Sequence, residues 1–221
     1  ADDFPEIDIL VISHDHWDHL DYPSVMALKD KVKAVVCPLG VGEYFEQWGF
    51  PLSQLYEADW FSEIKLADDF RIHVLPSQHF SGRFLQQNIT QWSGFAFITP
   101  NQKVFFSGDG GYGGHFKKIG EMFGGFDLAL MENGQYNKQW HRIHMMPEET
   151  AQAAADLGAK TVIPAHSGKF ALARHNWDTP YRDLAAASVE KSYTLLTPEI
   201  GELVYIGQKS QQFGAWWKKM T

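Results

Sequence analysis

The sequence predicts an α/β protein in which helices cover the faces of β-sheets. Short apolar or alternating runs rich in Val, Ile and Phe recur along the chain, and helical patterns stand between some of them. Several of the strand-like runs end directly in polar, chemically active residues, as in VIS-HDHWDH, VLPSQH, VFFSG-DGGY and VIPA-HSGK. Strand ends that carry such residues to one edge of a sheet form a site there.

The elements follow one another in this order. The predicted strands are IDILVIS (7–13), KAVVCP (33–38), FRIHVLPS (70–77), GFAFIT (94–99), KVFFSG (103–108), DLALME (127–132), TVIPA (161–165) and GELVYIG (201–207). The predicted helices are YPSVMALKDK, GGHFKKIGEMFGGF and MPEETAQAAADLGA. The first has Pro23 near its start, and the second is bounded by glycines. The third has Pro147 in its first turn, two glutamates that favour the helix dipole, and Gly158 as its stop.

Length and composition limit the classes of function. The 221 residues suit a single domain over residues 1–221 that buries a substantial core. A formal net charge of −8 without a basic stripe argues against binding to nucleic acid. The one cysteine, Cys37, excludes an internal disulfide, and no apolar run approaches the roughly 20 residues of a membrane-spanning helix. We expect a cytoplasmic location, with membrane association left open.

The segment SHDHWDHLD (13–21) is the densest chemical feature. His14 and His16 can point the same way from an extended turn, and Asp18 and His19 follow after the chain bends. Imidazoles and a carboxylate suit Zn²⁺ or a similar divalent ion. Four such residues in six positions exceed what one tetrahedral ion takes from a single loop, so the spacing indicates two adjacent ions. A polar turn with incidental histidines is the alternative.

Two ions need further ligands, and other strand ends supply the candidates. His79, Asp109 and His166 each lie just past an apolar run. A carboxylate such as Asp109 can bridge two cations at the separation of about 3.5–4 Å that two-metal hydrolases use. Taken alone, His79 or His166 would more often be a structural histidine. Beside the first cluster, a ligand role is favoured for both.

Five segments, in chain order, resemble the metallo-β-lactamase superfamily: SHDHWDHLD, QHFSGR, FFSGDGGY, HMMPEET and PAHSGKFALARH. Within the superfamily they resemble the branch that contains N-acylphosphatidylethanolamine-hydrolysing phospholipase D and its bacterial relatives. The resemblance covers most of the chain. It implies an αββα sandwich, with two sheets face to face, helices outside, and the metals at one sheet edge.

The resemblance also implies a role for each matching residue. His14, His16 and His79 match the ligands of the first metal, Asp18, His19 and His166 match those of the second, and Asp109 matches the bridging carboxylate. His144, just before the Pro147 helix, matches an active-site histidine that is not a ligand. We expect Zn²⁺ at both positions, although such a site also accepts Mn²⁺, Fe²⁺ or Ni²⁺.

The chain departs from the family pattern at three places. It starts at ADDFPEIDILVI, without the upstream strands of the family, so the first sheet is expected to have an exposed edge or face. We expect that further sequence of a larger product, or another chain in an oligomer, completes it. Gly110 stands where the family has Ser or Thr, which removes a hydroxyl beside the bridging ligand. ENGQY replaces a more apolar segment and bears on substrate preference near Glu132 and Asn133.

These residues imply metal-assisted hydrolysis by a bridging hydroxide, because two ions that share a water lower its pKa from about 15.7 toward neutrality. The expected substrate is a phosphodiester, small or lipid-like. Asp18 and His144 are predicted to be catalytic, with His144 binding a phosphate oxygen or protonating the leaving alcohol. A surface or capping histidine is the alternative for His144. Two alternatives remain for the whole site: a lactonase or β-lactamase-type hydrolase on the same metals, and a metal-binding scaffold without activity.

The remaining candidates are assigned lesser roles. His141 is interpreted as a non-ligand, His115 as a helix-start residue near the pocket, and His73 and Cys37 as packing residues. His175 and Asp178 are expected to support the loop after His166, and Asp21 is expected to be a turn residue. Trp17, Phe80 and Tyr112 are expected either to line a pocket or to pack in the core.

Overall fold

The computed structural model describes residues 2–83, 85–169, 171–208 and 210–220. Its strands are β1 (Ile7–Val11), β2 (Val32–Pro38), β3 (Leu55–Ala58), β4 (Glu63–Ala67), β5 (Phe70–Leu75), β6 (Gly82–Arg83), β7 (Gln86–Gln87), β8 (Gly94–Ile98), β9 (Lys103–Phe106), β10 (Leu128–Glu132), β11 (Thr161–Ala165) and β12 (Thr194–Leu195). Its α-helices are α1 (Tyr22–Leu28), α2 (Gly42–Gln47), α3 (His115–Phe123), α4 (Pro147–Asp156) and α5 (Thr179–Ala187).

The strands form two main sheets. The first consists of β1, β2 and β3 in that order, all parallel, with β1 at one edge. The second has the order β12-β11-β10-β9-β8-β5-β4, and β6 and β7 form a separate hairpin. In the second sheet β9 to β12 run parallel, and β8 runs antiparallel to both β5 and β9. The carboxyl ends of β5, β9, β10 and β11 therefore lie at the same sheet edge.

Three apolar clusters give the order of the layers. Val35 and Val36 are neighbours in β2 and face opposite sides of the first sheet, because successive strand residues alternate. Val35 packs with Phe45 of α2, whereas Val36 packs with Phe95 of the second sheet. On the far side of that sheet, Phe105 belongs to a cluster with residues of α3 and α4. The layers are thus helices, sheet, sheet and helices, which confirms the predicted αββα sandwich.

The predicted strands form, with one exception. The apolar run at residues 201–207 is not a strand, so this prediction is wrong. Leu203 and Tyr205 are 73% and 58% exposed, so these side chains do not gain the burial that stabilises a strand. Conversely, β4 is not among the predicted strands, although its buried Ile64 between the exposed, charged Glu63 and Lys65 shows the alternation of a half-buried strand.

The predicted helices form α1, α3 and α4, and local chemistry explains where they begin. The Asp21 side chain accepts a hydrogen bond from the backbone N–H of Ser24 and caps α1, which is the turn role predicted for Asp21. At α4, Glu149 accepts from the backbone N–H of Met146 at 2.9 Å. The pattern does not indicate α2, which has six residues, or α5, although Pro180 marks its first turn. Among the helices of the described residues, none is long and apolar enough to cross a membrane.

Candidate metal centre

Strand ends from both sheets meet at one place. The loop after β1 carries the HDHWDH residues, and the segments after β5, β9 and β11 carry His79, Asp109 and His166. Strands β5, β9 and β11 belong to the second sheet, and their carboxyl ends lie at the same edge of that sheet. The structure therefore brings together all seven side chains that the sequence predicts to bind metal, although they are spread over more than 150 positions of the chain. Their role as ligands stays a prediction.

His14, His16 and His79 form the first ligand group. Nε2 of His14 lies 3.0 Å from Nδ1 of His16, and Nε2 of His79 lies 3.2 Å from the same Nδ1. Oδ2 of Asp109 lies 4.0 Å from Nε2 of His14 and 3.9 Å from Nε2 of His79. Four potential ligand atoms thus surround one point.

Asp18, His19 and His166 form the second ligand group. Nε2 of His19 lies 3.2 Å from Nε2 of His166, which lies 3.2 Å from Oδ2 of Asp18. Oδ2 of Asp109 is 3.1 Å from His19 and 3.2 Å from His166. The same carboxylate oxygen of Asp109 therefore faces both groups.

The donor set fits divalent cations. In the first group Nδ1 of His16 lies 3.0–3.2 Å from two other imidazole nitrogens, and in the second group two imidazole nitrogens face each other at 3.2 Å. Neutral rings can join such nitrogens only where one donates a proton to the lone pair of another, and Nδ1 of His16 has at most one proton for its two neighbours. A cation would accept the lone pairs of all of them. Tetrahedral zinc with Zn–N distances of about 2.0–2.1 Å places neighbouring ligand atoms about 3.3 Å apart, close to the spacing of the nitrogens.

Neighbouring groups fix which ring nitrogen faces the centre. Nδ1 of His79 donates to the backbone carbonyl of Ile143 at 3.0 Å, and Nδ1 of His14 lies 3.0 Å from the Ser13 hydroxyl. Each of these bonds leaves Nε2 for a metal, as is usual for histidine ligands. Burial lowers the pKa of His14 well below its ordinary value and that of His79 to about 3. Both rings are therefore neutral, which is the form that binds metal.

The carboxylates act differently on the second group. Burial lowers the pKa of His19, but the hydrogen bond and charge of Asp109 outweigh it, so the pKa is raised. The pKa of His166 is raised in the same way by Asp18 and Asp109 against the effect of burial. Burial alone would raise the pKa of Asp109, but the hydrogen bond from His19 and the surrounding imidazoles hold it well below its ordinary range. Asp109 is therefore ionised.

An arginine that sequence reasoning did not single out holds the HDHWDH loop in place. Nη1 of Arg83 donates to the backbone carbonyl of Asp15, inside the loop, at 2.7 Å and to that of Leu20, just after the loop, at 2.8 Å. Its guanidinium also stacks on Trp17 at 3.7 Å. The Asp15 carboxylate accepts from the backbone N–H of Gly82 at 2.7 Å, beside Arg83. The only sequence signal for this role is the QHFSGR motif, which ends at Arg83 but does not reveal the groups that the arginine contacts.

Gly110 proves to be a packing requirement. A Cβ at this position would collide with Oγ of Ser77, and that hydroxyl donates to the backbone carbonyl of Asp109. The space beside Gly110 is therefore filled by the hydroxyl of Ser77, from the segment after β5.

His144 lies beside the two ligand groups and belongs to neither. One ring nitrogen lies within 4.8 Å of ligand atoms of His79 and Asp109, while Nδ1 lies 2.5 Å from Oε1 of Glu132. Burial raises the pKa of Glu132 and lowers that of His144. Glu132 and Asn133, near which the sequence leaves substrate preference open, are both buried, with 1% and 0% of their surface exposed.

The other histidines lie away from the ligand atoms. His141 is exposed, and its Nδ1 lies 3.2 Å from Oε1 of Glu149 in α4. His115 is the first residue of α3 and packs on Phe116, and His73 packs against an aromatic ring of α3. His175 accepts from the backbone N–H of Gln135 at 2.9 Å, which ties the segment after β10 to the one after β11. These positions agree with the lesser roles expected for them.

The segment after β11 carries backbone strain at His166, one of the predicted ligands. His166 has φ of 62°, a left-handed conformation that residues other than glycine rarely adopt. The side chain of Gln135 accepts from the backbone N–H groups of Leu172 and Ala173 at 2.7 and 2.9 Å and holds the segment. Strain of this kind persists where the surroundings impose it, often at functional sites.

A groove of about 770 Å³ opens beside the second ligand group. Its polar end includes Asp18 and His19, with Lys169 nearby, and Trp17 forms part of its wall. The rest of the lining is largely apolar and comes from β1, α1 and the segment after β11: Leu10, Ile12, Val25, Leu28 and Leu172. An apolar cleft that ends at a few polar groups is typical of a small-molecule site. Of the other predicted wall residues, Phe80 contacts His16 and His79, whereas Tyr112 packs on α3.

Comparisons with known proteins agree with the fold. A family model described as a beta-lactamase superfamily domain matches residues 1–167. An uncharacterised protein of Mycobacterium tuberculosis is 42% identical over 204 residues, which make up 90% of this chain and 55% of that protein. The N-acyl-phosphatidylethanolamine-hydrolyzing phospholipase D 1 of Caenorhabditis elegans is 31% identical over 220 residues, covering 91% of this chain and 62% of that protein. The chain thus covers 55%, about half, of the length of the mycobacterial relative.

A solved structure shows the same architecture at low sequence identity. Igni18, a metallo hydrolase from Ignicoccus hospitalis, aligns with a TM-score of 0.68 and 21% identity over 90% of this chain and 79% of its own. At this identity the likeness concerns the fold alone.

Proposed function

The chain belongs to the metallo-β-lactamase superfamily, and we propose that it is a metal-dependent hydrolase that holds two divalent ions and cleaves phosphodiesters in the manner of a phospholipase D. The observation that carries this proposal is the position of Asp109. One of its carboxylate oxygens lies 3.1 Å from the second ligand group and about 4 Å from the first. A shared carboxylate between two sets of imidazoles suits a pair of ions.

The ligand set determines the chemistry available. Two divalent ions held by these residues would lower the pKa of a shared water from about 15.7 toward neutrality and would polarise the oxygen atoms of a phosphoryl group. The five imidazoles would hold the ions without compensating their charge, so that such ions would stay strong Lewis acids. Asp18 both belongs to the second ligand group and lines the groove, which suits it to orient the attacking water.

His144 suits the departure of an alcohol. In hydrolysis the water oxygen bonds to phosphorus, the bond from phosphorus to the leaving oxygen breaks, and its electron pair stays on that oxygen. A ring N–H of His144 would transfer its proton to this oxygen, and the proton lost by the water would pass to solvent through the groove. The named activity of the worm relative, hydrolysis by a phospholipase D, supports a phosphodiester as the substrate class.

Metal content combined with a substrate panel tests this function. We expect about two equivalents of Zn²⁺ in the purified protein by elemental analysis, and turnover of bis(p-nitrophenyl) phosphate and of a dialkyl phosphodiester. The same preparation is assayed on a lactone and a β-lactam, and Asp109→Asn serves as the inactive control. Turnover of the lactone or the β-lactam alone would overturn the phosphodiester assignment, and full metal content without any turnover would support a scaffold.

Replacement of His144 tests its role. His144→Ala should lower kcat for the dialkyl phosphodiester by about 100-fold or more, since general acid catalysis typically contributes 10²–10⁴-fold, and should leave the metal content unchanged. His141→Ala is the matched control, because that ring is nearby and exposed but faces a glutamate of α4. Unchanged turnover in His144→Ala would contradict the role.

A further inference from the structure

We infer that Gln135 is a positioning residue for substrate selection: its side chain fixes the backbone that presents Leu172 to the groove, and the groove takes an alkyl chain carried by the substrate's phosphoryl group. The inference rests on the proposed function for the phosphoryl group. Its structural content concerns hydrogen bonds within the chain and is tested separately.

Gln135 lies just after β10 and reaches the segment after β11. The residue is 4% exposed, and its Oε1 accepts from the backbone N–H groups of Leu172 and Ala173 at 2.7 and 2.9 Å. Its own backbone N–H donates to Nε2 of His175 at 2.9 Å, and its backbone carbonyl accepts from Nε1 of Trp140 at 2.8 Å. Three hydrogen bonds therefore tie this buried glutamine to the segment after β11.

The backbone beside Gln135 allows this close approach. A Cβ at Gly134 would collide with the backbone carbonyl of His166, so a residue without a side chain is required there. Gln135 has φ of 59°, a left-handed conformation like that of His166. Such strain persists where surrounding contacts impose it. The departure from the family pattern at ENGQY thus lies where the segments after β10 and β11 meet.

Leu172 depends on these hydrogen bonds for its position. The residue is 63% exposed, so burial in a core does not fix it, yet it lines the groove together with apolar residues of β1 and α1. Gln135 itself lines a smaller cavity of about 150 Å³ beside His166 and is not part of the groove lining among the described residues. The effect of Gln135 on a chain in the groove must therefore pass through the segment that it holds.

The groove suits an alkyl chain attached to an anionic group. Its polar end lies at the second ligand group, where metal ions would hold a phosphoryl oxygen, and Lys169 adds a positive charge there. The rest of its lining is largely apolar, and each methylene buried against such a surface strengthens binding about fourfold. A wall that is already fixed keeps this gain, because it need not be ordered when the ligand binds.

Hydrogen exchange of the Zn²⁺-loaded protein, followed by NMR, tests the structural part without any ligand. We expect the backbone amides of Leu172 and Ala173 to be protected in the wild type and to exchange about 10-fold faster in Gln135→Leu, which keeps the size of the side chain but has no acceptor. Gln139→Leu is the matched control, because Gln139 is an exposed glutamine of the same segment after β10. Unprotected amides in the wild type, or equal exchange in the wild type and Gln135→Leu, would overturn the inference.

Binding of two alkylphosphonates to the Zn²⁺-loaded protein tests the selection. Octylphosphonate and methylphosphonate carry the same anionic group, contain no ester bond to hydrolyse, and differ only in the alkyl chain. By titration calorimetry we expect the wild type to prefer octylphosphonate by about 10-fold or more. Gln135→Leu and Leu172→Ala should each reduce this preference by about fourfold or more, the value of one buried methylene, with metal content and methylphosphonate affinity unchanged.

The double variant shows whether Gln135 acts through Leu172. In the Leu172→Ala background, Gln135→Leu should have no further effect on the preference. Additive losses, an unchanged preference in Gln135→Leu, or equal losses for both phosphonates would overturn the inference. If Gln135→Leu does not fold, amide protection in the wild type and the preference of Leu172→Ala decide it. A wild type that selects octylphosphonate but hydrolyses no phosphodiester would refute the proposed function and leave the inference standing.

Discussion

Replacement of Gly110 by alanine is expected to destabilise the protein through one identifiable collision. The new Cβ would overlap Oγ of Ser77, which must turn away and give up its hydrogen bond to the backbone carbonyl of Asp109. The other neighbours of that Cβ, the backbone N and O of Gln78 at 3.2 and 3.5 Å, tolerate it with small shifts. The backbone at Gly110 is not left-handed, so conformational strain does not add to the effect.

The magnitude follows from three contributions. Overpacking costs about 1–3 kcal/mol, and the lost hydrogen bond costs about 0.5–1.5 kcal/mol. The lower entropy of the unfolded chain offsets about 0.4–1 kcal/mol of this. The net loss for Gly110→Ala is about 2 kcal/mol, which lowers Tm by about 4–8 °C in a domain of this size. Ser77→Ala alone loses only the hydrogen bond, about 1 kcal/mol.

A double-mutant cycle isolates the collision. In Gly110→Ala/Ser77→Ala the overlapping oxygen is gone, so we expect this variant to be more stable than Gly110→Ala alone, with a coupling of at least about 1 kcal/mol. Thermal and urea unfolding of the four metal-loaded proteins would measure it, with metal content as the control for an intact site. Additive losses, or a Gly110→Ala variant as stable as the wild type, would refute the reasoning.

Three further predictions concern the metal centre. Arg83→Ala should weaken metal binding about 10–100-fold, because residues that support metal ligands contribute about that much to the affinity, and Arg83→Lys should recover part of the loss. Competition with a chelator measures the affinity, and an unchanged affinity in Arg83→Ala would contradict the role of Arg83. Acidification from pH 7 toward pH 5 should release the ion of the second ligand group first, because protons compete for His19 and His166, whose pKa values are raised, whereas burial lowers the pKa values of His14 and His79. The metal content, measured against pH, should therefore fall from two equivalents to one before it reaches zero. Simultaneous release of both ions would contradict this prediction. In the metal-loaded protein, a free metal concentration about 100-fold above Kd stabilises the fold by about 2.7 kcal/mol per ion. Removal of the metal with a chelator should therefore lower Tm by about 5–11 °C per ion, and added Zn²⁺ should restore it. An unchanged Tm in the apoprotein would count against a preformed site.

The reliability of sequence reasoning differed between parts of the fold. Strands β9, β10 and β11 of the second sheet are partly or fully buried along their length and form short apolar runs, so they are evident from composition. The short helix α2 has a mixed pattern that does not stand out, whereas β4 has the alternation of a half-buried strand and was detectable. The run at residues 201–207 shows the opposite failure, because an apolar run does not by itself supply a partner strand.

Half of the candidate metal centre can be predicted from the sequence alone. His14, His16, Asp18 and His19 are close along the chain, so covalent spacing alone limits how far apart their side chains can lie. The parallel direction of the strands before Asp109 and His166 extends the argument to the other half, because parallel carboxyl ends share one sheet edge.

The groups that support that centre are revealed by the three-dimensional structure alone. The pairing of His144 with Glu132, the contact of Arg83 with the HDHWDH loop, and the place of the Ser77 hydroxyl beside Gly110 all join segments that are distant in sequence. Each depends on a register and a side-chain direction set by packing over the whole sandwich, to ångström precision. A local pattern of residues carries no information on such distances, because the same pattern is compatible with many arrangements of distant segments.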